Sequence, residues 1–200
     1  MQPATEHAPR PGHCEELESG VRRVVAPNPS SMTYWGTNSY VLGHGRVAVI
    51  DPGPDLPAHG DALLAALRPG EEISHIFVSH SHLDHAPLAR PLARVTGAQV
   101  LAFGPHDEGQ SPLMRELAGR TGLGGGEGID REFIPDRRLD HGEEIRGETW
   151  RLRALWTPGH ISNHLCFAWE DRIFTGDHVM GWASSLVSPP DGDLAAFMRS

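Results

Sequence analysis

Four potential metal ligands fall within six residues of this 200-residue chain, directly after a short apolar run. The run is Ile76-Phe77-Val78, and residues 80–85 read His-Ser-His-Leu-Asp-His. Because alternate side chains of an extended segment point to the same side, His80 and His82 can share one ion. Asp84 and His85 follow where the chain turns towards a predicted helix, so they can face a second ion. Imidazole and carboxylate donors without a thiolate suit zinc, iron or manganese.

Composition narrows the class of protein. The chain has 13 histidines, an enrichment that favours metal chemistry, and a formal charge of −9. The negative charge argues against broad, non-specific binding to nucleic acid or to an anionic membrane. Two distant cysteines exclude a disulfide framework and predict a reducing, cytoplasmic location. No apolar run is long enough to span a membrane, and the N-terminus does not resemble a signal peptide.

Every one of the 17 basic residues is arginine. Because lysine codons are rich in A and arginine codons are mostly rich in G and C, this bias predicts a GC-rich bacterial genome as the source.

Strand and helix signals alternate along the chain and predict one α/β domain over residues 20–200. Residues 1–19 lack any periodicity, so we expect a flexible N-terminal tail there. The predicted strands cover residues 21–25, 39–43, 46–50, 76–78, 99–103, 150–156, 164–169 and 172–175. The predicted helices cover residues 57–67 and 86–95, with a short turn at 113–117 and a last helix capped by Asp191 or Asp193. Residues 104–130 hold eight glycines and predict a mobile excursion.

Two further motifs lie where predicted strands end. Thr157-Pro158-Gly159-His160 follows the strand through Trp156, and Thr175-Gly176-Asp177 follows the strand through Phe174. Loops at strand ends commonly carry functional residues, and a carboxylate there could bridge two cations. Each motif alone is weak evidence, but both agree with a metal site built on residues 80–85.

Together these residues resemble the metallo-β-lactamase fold superfamily over roughly residues 20–200. The resemblance rests on Asp51, on the run at 80–85, on His160 and on Asp177. It implies an α/β fold, an αββα sandwich of mixed sheets faced by helices. Within the superfamily, the segments 36–40, 157–160, 175–182 and 188–193 are similar to the group around beta-lactamase-like protein 2. The glyoxalase II group shares the motif at 157–160 but usually has threonine where this chain has His178.

The resemblance also implies a role for each site residue. His80, His82 and His160 would hold one divalent ion, Asp84 and His85 a second, and Asp177 would bridge both. Asp51 would orient these ligands from outside the coordination sphere. Two divalent ions, zinc first with iron or manganese as alternatives, would activate a bridging hydroxide for attack on a carbonyl carbon or a phosphorus. Asp84 would be the catalytic residue that orients this hydroxide and takes its proton.

The chain departs from the family pattern at its C-terminal end. The family supplies one further histidine to the second ion, whereas no histidine follows His178 here. We therefore expect a fragment that lacks the C-terminal part of the sandwich and binds its second ion weakly; a natural one-metal variant is the alternative. We also expect the inner faces of Trp150, Leu152 and Trp156 to be partly exposed.

The substrate stays open at this point, because fold and metal site do not fix it. The leading prediction is a metal-dependent hydrolase like the beta-lactamase-like protein 2 group. The alternatives are a glyoxalase II-like hydrolase of a thioester or lactone, an endonuclease for single-stranded RNA, and a non-catalytic metal-binding domain. The predicted partners are thus a small ester, thioester or lactone, or single-stranded RNA, without a membrane. The oligomeric state is open, a dimer included.

Overall fold

The computed structural model describes residues 8–120 and 128–200, which form two β-sheets and four helices. The strands are β1 Cys14–Glu18, β2 Val21–Val25, β3 Asn38–Leu42, β4 Arg46–Ile50, β5 Glu72–Phe77, β6 Gln99–Ala102, β7 Arg137–Arg138, β8 Glu144–Arg146, β9 Arg151–Trp156, β10 Leu165–Trp169 and β11 Arg172–Phe174. The helices are α1 Pro57–Ala65, α2 Ala89–Thr96, α3 Pro112–Ala118 and α4 Leu194–Phe197. Among the described residues, every helix falls short of the length and apolar character that a membrane-spanning segment requires.

The first sheet has seven strands in chain order, and the second has four in the order β11-β10-β9-β8. Strands β1 to β4 are antiparallel to their neighbours, whereas β4 to β7 run parallel. The second sheet is antiparallel throughout. Parallel pairs need crossovers, and α1 and α2 supply them between β4 and β6.

Side-chain alternation divides the first sheet between two apolar cores. Val49 and Ile76 point towards α1 and α2, where Leu63 and Leu92 complete one buried cluster. On the opposite face, strand residues pack against the inner face of the second sheet. Leu42, Ile50, Phe77, Leu101, Leu152 and Phe167 belong to this second cluster. The two packed sheets and their helices confirm the predicted α/β class of fold, but only the first sheet is mixed, because the second is antiparallel throughout.

Two sequence predictions are wrong in part: the extent of the flexible N-terminal tail, and the exposure of the inner face of the second sheet. Residues 14–18 are not part of a flexible tail, because β1 pairs with β2 in antiparallel register. Trp150 and Leu152 are buried, with 3% and 1% of their surface exposed, because they pack between the two sheets. Trp156, in contrast, is partly exposed as predicted, and it stacks on Phe103. The predicted tail at residues 1–7 and part of the glycine-rich excursion, residues 121–127, lie outside the described residues.

Strand β2 carries a buried ion pair, and removal of one of its partners should lower stability strongly. Arg22 donates to both carboxylate oxygens of Glu71 at 2.6 and 3.1 Å and to the carbonyl oxygen of Ala66 at 2.8 Å. Both partners are almost fully buried. Arg22→Met should therefore lower the free energy of unfolding by about 3 kcal/mol or more, because it leaves the Glu71 carboxylate buried without its cation.

The neighbouring Arg23 is a matched control for this prediction. Arg23 pairs with Glu15 at the surface, so Arg23→Met should cost less than about 1 kcal/mol. Urea unfolding of both variants measures the difference. Equal losses would show that burial of the Arg22 pair adds nothing.

Candidate metal centre

Loops at the ends of both sheets bring four predicted ligands to one place. His80 and His82 follow β5, His160 follows β9, and Asp177 follows β11. One ligand atom from each of these four residues lies within 4.8 Å of all the others. Because the four lie on loops that follow three different strands, their convergence is a product of the fold and not of local sequence.

Three imidazole nitrogens form the inner face of this cluster. His82 Nδ1 lies 2.9 Å from His80 Nε2 and 3.0 Å from His160 Nε2. One oxygen of Asp177, Oδ2, lies 3.6 Å from His160 Nε2 and 4.0 Å from His80 Nε2. The cluster thus offers three nitrogen donors and one carboxylate oxygen, a set that suits tetrahedral coordination of zinc.

The outer nitrogens of two of these rings show which inner nitrogens carry lone pairs. His160 Nδ1 lies 2.6 Å from the carbonyl oxygen of Leu186, so it donates its proton there. Ser79 Oγ donates to Asp51, so it can only accept from His80 Nδ1 at 2.9 Å. In the neutral tautomers, the inner Nε2 atoms of both rings are therefore unprotonated and face His82.

A neutral His82 has one ring hydrogen, so its Nδ1 can donate to only one of these two nitrogens, and the other is left without a donor unless a further proton or a cation lies there. Burial, together with the neighbouring imidazoles, holds the pKa of His80 well below its usual value, and that of His82 is lowered to about 4. Protonation is thus disfavoured at neutral pH. The residues present therefore fit a divalent cation, which needs neutral imidazoles as ligands.

A second group of donors adjoins the first. His85 Nε2 lies 3.3 Å from Asp84 Oδ2 and 3.3 Å from Asp177 Oδ1. Asp177 thus turns one oxygen to each group. Burial lowers the pKa of His85, but Asp84, Asp177 and Asp51 outweigh it and raise that pKa well above its usual value. The nearby carboxylates thus favour the doubly protonated form of the His85 ring, and a cation bound at Nε2 would have to replace one of its protons.

Asp51 lies behind both groups, where it contacts residues that support the ligands. It accepts hydrogen bonds from the backbone N–H of Ser79 and from Ser79 Oγ, both at 2.7 Å, and its Oδ2 lies 2.9 Å from His85 Nδ1. This contact fixes the side of the His85 ring that faces Asp84 and Asp177. Asp51 itself has a φ of +49°, in the left-handed region that non-glycine residues rarely occupy.

Two cavities have Asp84 and Asp177 in their walls. The larger, about 430 Å³, reaches His82 and His160 and has Met32, Leu83 and Leu186 in its wall. The smaller, about 270 Å³, reaches His85 and has Trp182 in its wall. A substrate whose carbonyl group lies near the donors could therefore place one part in each cavity.

The structure also shows two contacts that the sequence did not predict. Thr37 donates to Asp84 Oδ2 at 3.2 Å, and the carbonyl of Leu186 orients His160. Thr37 lies in the segment 36–40, which carries part of the family resemblance, but that segment did not identify a contact with Asp84. A backbone carbonyl carries no sequence pattern, so only the fold shows the role of Leu186. His178, in contrast, is not among the clustered donors; its ring packs 4.8 Å from that of Phe197.

Comparison with known proteins gives relatives over most of the chain. An atrochrysone carboxyl ACP thioesterase from Emericella nidulans is 32% identical over 199 residues, which are 98% of this chain and 54% of that protein. Lactamase-like protein adaB from Aspergillus niger is 30% identical over 201 residues, 96% of this chain and 53% of that protein. The chain thus spans about half the length of the curated relatives it matches.

Solved structures and a family model agree with these relatives. A beta-lactamase domain protein from Burkholderia ambifaria superposes with a TM-score of 0.73 at 21% identity, covering 98% of this chain and 65% of that one. A metallo-beta-lactamase family protein from Thermus thermophilus gives a TM-score of 0.67 at 23% identity, covering 92% and 69%. The family model for the metallo-beta-lactamase superfamily matches residues 32–199. The chain therefore belongs to the metallo-beta-lactamase superfamily.

Proposed function

We propose that this chain carries the metal centre of a hydrolase that cleaves thioesters. The observation that carries the proposal is the convergence of His80, His82, His160 and Asp177 on one point beside two cavities. The choice of thioester is supported by relatives named as carboxyl ACP thioesterases. The beta-lactamase-like protein 2 group, a bacterial source and a cytoplasmic location stay predictions.

Divalent ions, zinc first, would supply a Lewis acid and an acidified water when bound at these residues. Asp177 is suited to bridge two ions, because its two oxygens face different donor groups. Asp84 is the proposed proton acceptor. It is a carboxylate at neutral pH: burial raises its pKa, but the adjacent His85 lowers it below the usual value.

The larger cavity is suited to the acyl half of the substrate. Met32, Leu83 and Leu186 in its wall are 60%, 49% and 50% exposed, so apolar surface faces solvent directly beside His82 and His160. An apolar acyl group would remove this surface from water, which is favourable in proportion to the area covered. We therefore expect longer acyl groups to bind more tightly than acetyl.

A side-by-side assay tests the reaction class. The zinc-loaded protein is incubated with an acyl thioester, an ester, a lactone, a phosphodiester and a short RNA, and thiol release or product formation is measured. We expect turnover of the thioester. Cleavage of RNA alone would overturn the thioester proposal in favour of an endonuclease, and bound metal without any turnover would indicate a non-catalytic domain.

A substitution in the larger cavity tests the acyl site. Leu83→Asp should raise KM for a long-chain acyl thioester about tenfold, the value expected when one leucine contact is lost, with little change for acetyl thioester. Leu113→Asp is the control, because Leu113 is similarly exposed but lies on α3. Equal effects of Leu83→Asp on both substrates would place the acyl group elsewhere.

A further inference from the structure

His59 is a fully buried histidine on α1 that the proposed reaction does not use. Burial lowers its pKa to about 4, so the ring is neutral at physiological pH. Its Nε2 lies 2.8 Å from Ser39 Oγ on β3. A buried polar ring is costly, and His59 Nδ1 has no hydrogen-bond partner among the described residues, so the presence of His59 at this position calls for an explanation.

The direction of the hydrogen bonds follows from the serine. Ser39 Oγ donates to the backbone carbonyl of Asp51 in a short hydrogen bond. Because a hydroxyl has one proton, Ser39 must accept from His59, and His59 Nε2 carries the hydrogen. The chain of donors therefore runs from His59 through Ser39 to the backbone of Asp51.

The turn that begins at Asp51 needs such support. Asp51 has a φ of +49°, a conformation that persists only where the surroundings hold it. His59 also packs directly on this turn: a Cβ on Gly53 would lie 2.9 Å from His59 Cδ2. The N–H of Gly53 donates to the carbonyl oxygen of His85 at 3.0 Å. His59 thus contacts the turn that holds His85 by backbone and side chain alike.

We propose that His59 is a positioning residue for the metal centre. Through Ser39 it fixes the backbone of Asp51, and Asp51 in turn orients His85 directly and His80 through Ser79. This inference rests on the proposed function in one respect only, that His80 and His85 are metal ligands. His59 itself lies outside the coordination sphere.

Metal affinity tests the proposal without any assay of turnover. The metal-free protein is titrated with Co²⁺, and the visible absorption of the bound ion is followed. His59→Leu should weaken Co²⁺ binding about tenfold, the lower end of the range for partners that orient metal ligands. His59→Gln, which keeps an N–H where Nε2 lies, should bind Co²⁺ nearly as the wild type does. His75→Leu is the control, because His75 is half-buried on β5 and its ring hydrogen-bonds only to Ser74 among the described residues.

Ser39→Ala completes a double-mutant cycle with His59→Leu. If both act on Asp51 as one chain, each single variant weakens binding and the double variant weakens it no further. The proposal is wrong if the losses of Co²⁺ affinity caused by the two single variants multiply in the double variant. It is also wrong if His59→Leu lowers Tm but leaves the Co²⁺ affinity unchanged. If His59→Leu does not fold, Ser39→Ala alone tests the proposal. An unchanged Co²⁺ affinity of Ser39→Ala would show that the hydrogen bonds from His59 through Ser39 to Asp51 do not position the ligands. A wild-type protein that binds no Co²⁺ would instead refute the metal centre itself.

Discussion

Replacing His82 with alanine should leave a folded protein that neither holds a metal ion nor hydrolyses substrate. His82 Nδ1 is the central donor of the cluster, in contact with the inner nitrogens of both His80 and His160. Without it, the first ion keeps only two imidazoles and the Asp177 carboxylate. The loss of affinity should exceed the roughly 10–100-fold that outer hydrogen-bond partners contribute, because a direct ligand is removed.

Metal content and thermal unfolding measure this effect together. The wild type should retain about one equivalent of zinc or more when it is prepared without chelators, and added zinc should raise its Tm. His82→Ala should retain almost none, and zinc should no longer raise its Tm. The Tm of the metal-free protein should change little, since His82 is only partly buried.

His44→Ala is the matched control for a general loss of histidine. His44 lies in the turn between β3 and β4, nearly half exposed, where it contacts Arg68 and Glu71. Metal content and activity should match the wild type. If His82→Ala bound zinc as tightly as this control, the cluster would not be a metal site.

The first part of the metal site can be predicted because its signals are local. Residues 80–85 directly follow an apolar strand, so the run of ligands and the strand end can be predicted from one window of sequence. His160 and Asp177 are each alone at a strand end, and their convergence follows from the resemblance to a known fold. No local run of ligands around Asp51 predicts its contacts. Its contacts with Ser79 and His85 depend on β4 lying beside β5.

The errors have physical causes that lie outside local sequence. Strand β1 has no apolar alternation and every residue is exposed, so periodicity could not reveal it. It forms because β2 offers an open edge, and ion pairs from Glu15 to Arg23 and from Glu16 to Arg68 hold it there. Pairing at an edge is a tertiary event, and a polar strand gives no sign of it.

Helix α2 shows a smaller error of the same kind. The sequence predicts a helix from residue 86, whereas the helix begins at Ala89. Pro91 then lies in the first turn, where a missing N–H costs little. The intervening residues are used otherwise: Leu88 N–H donates to the carbonyl of Gly53, which ties the ligand loop to the turn after β4.

Asp84→Asn should separate metal binding from catalysis. Asparagine keeps the shape of the side chain and can still accept the hydrogen bond from Thr37, but it has no charge and cannot take a proton at neutral pH. We expect kcat to fall by about 10²–10⁴-fold, the usual contribution of a general base. The ion that His80, His82, His160 and Asp177 would hold should remain bound, because these four residues are unchanged.

Asp171→Asn controls for the loss of one negative charge, since Asp171 lies exposed beside Arg172 in the turn between β10 and β11. It should leave kcat unchanged.

Metal content, thermal unfolding and thioester hydrolysis measured on Asp84→Asn and His82→Ala then give two distinct signatures. His82→Ala loses both the ion and turnover, whereas Asp84→Asn keeps about one ion and loses turnover. If Asp84→Asn retained most of its turnover, another group would have to accept the proton, and the assignment of Asp84 as the catalytic base would be wrong.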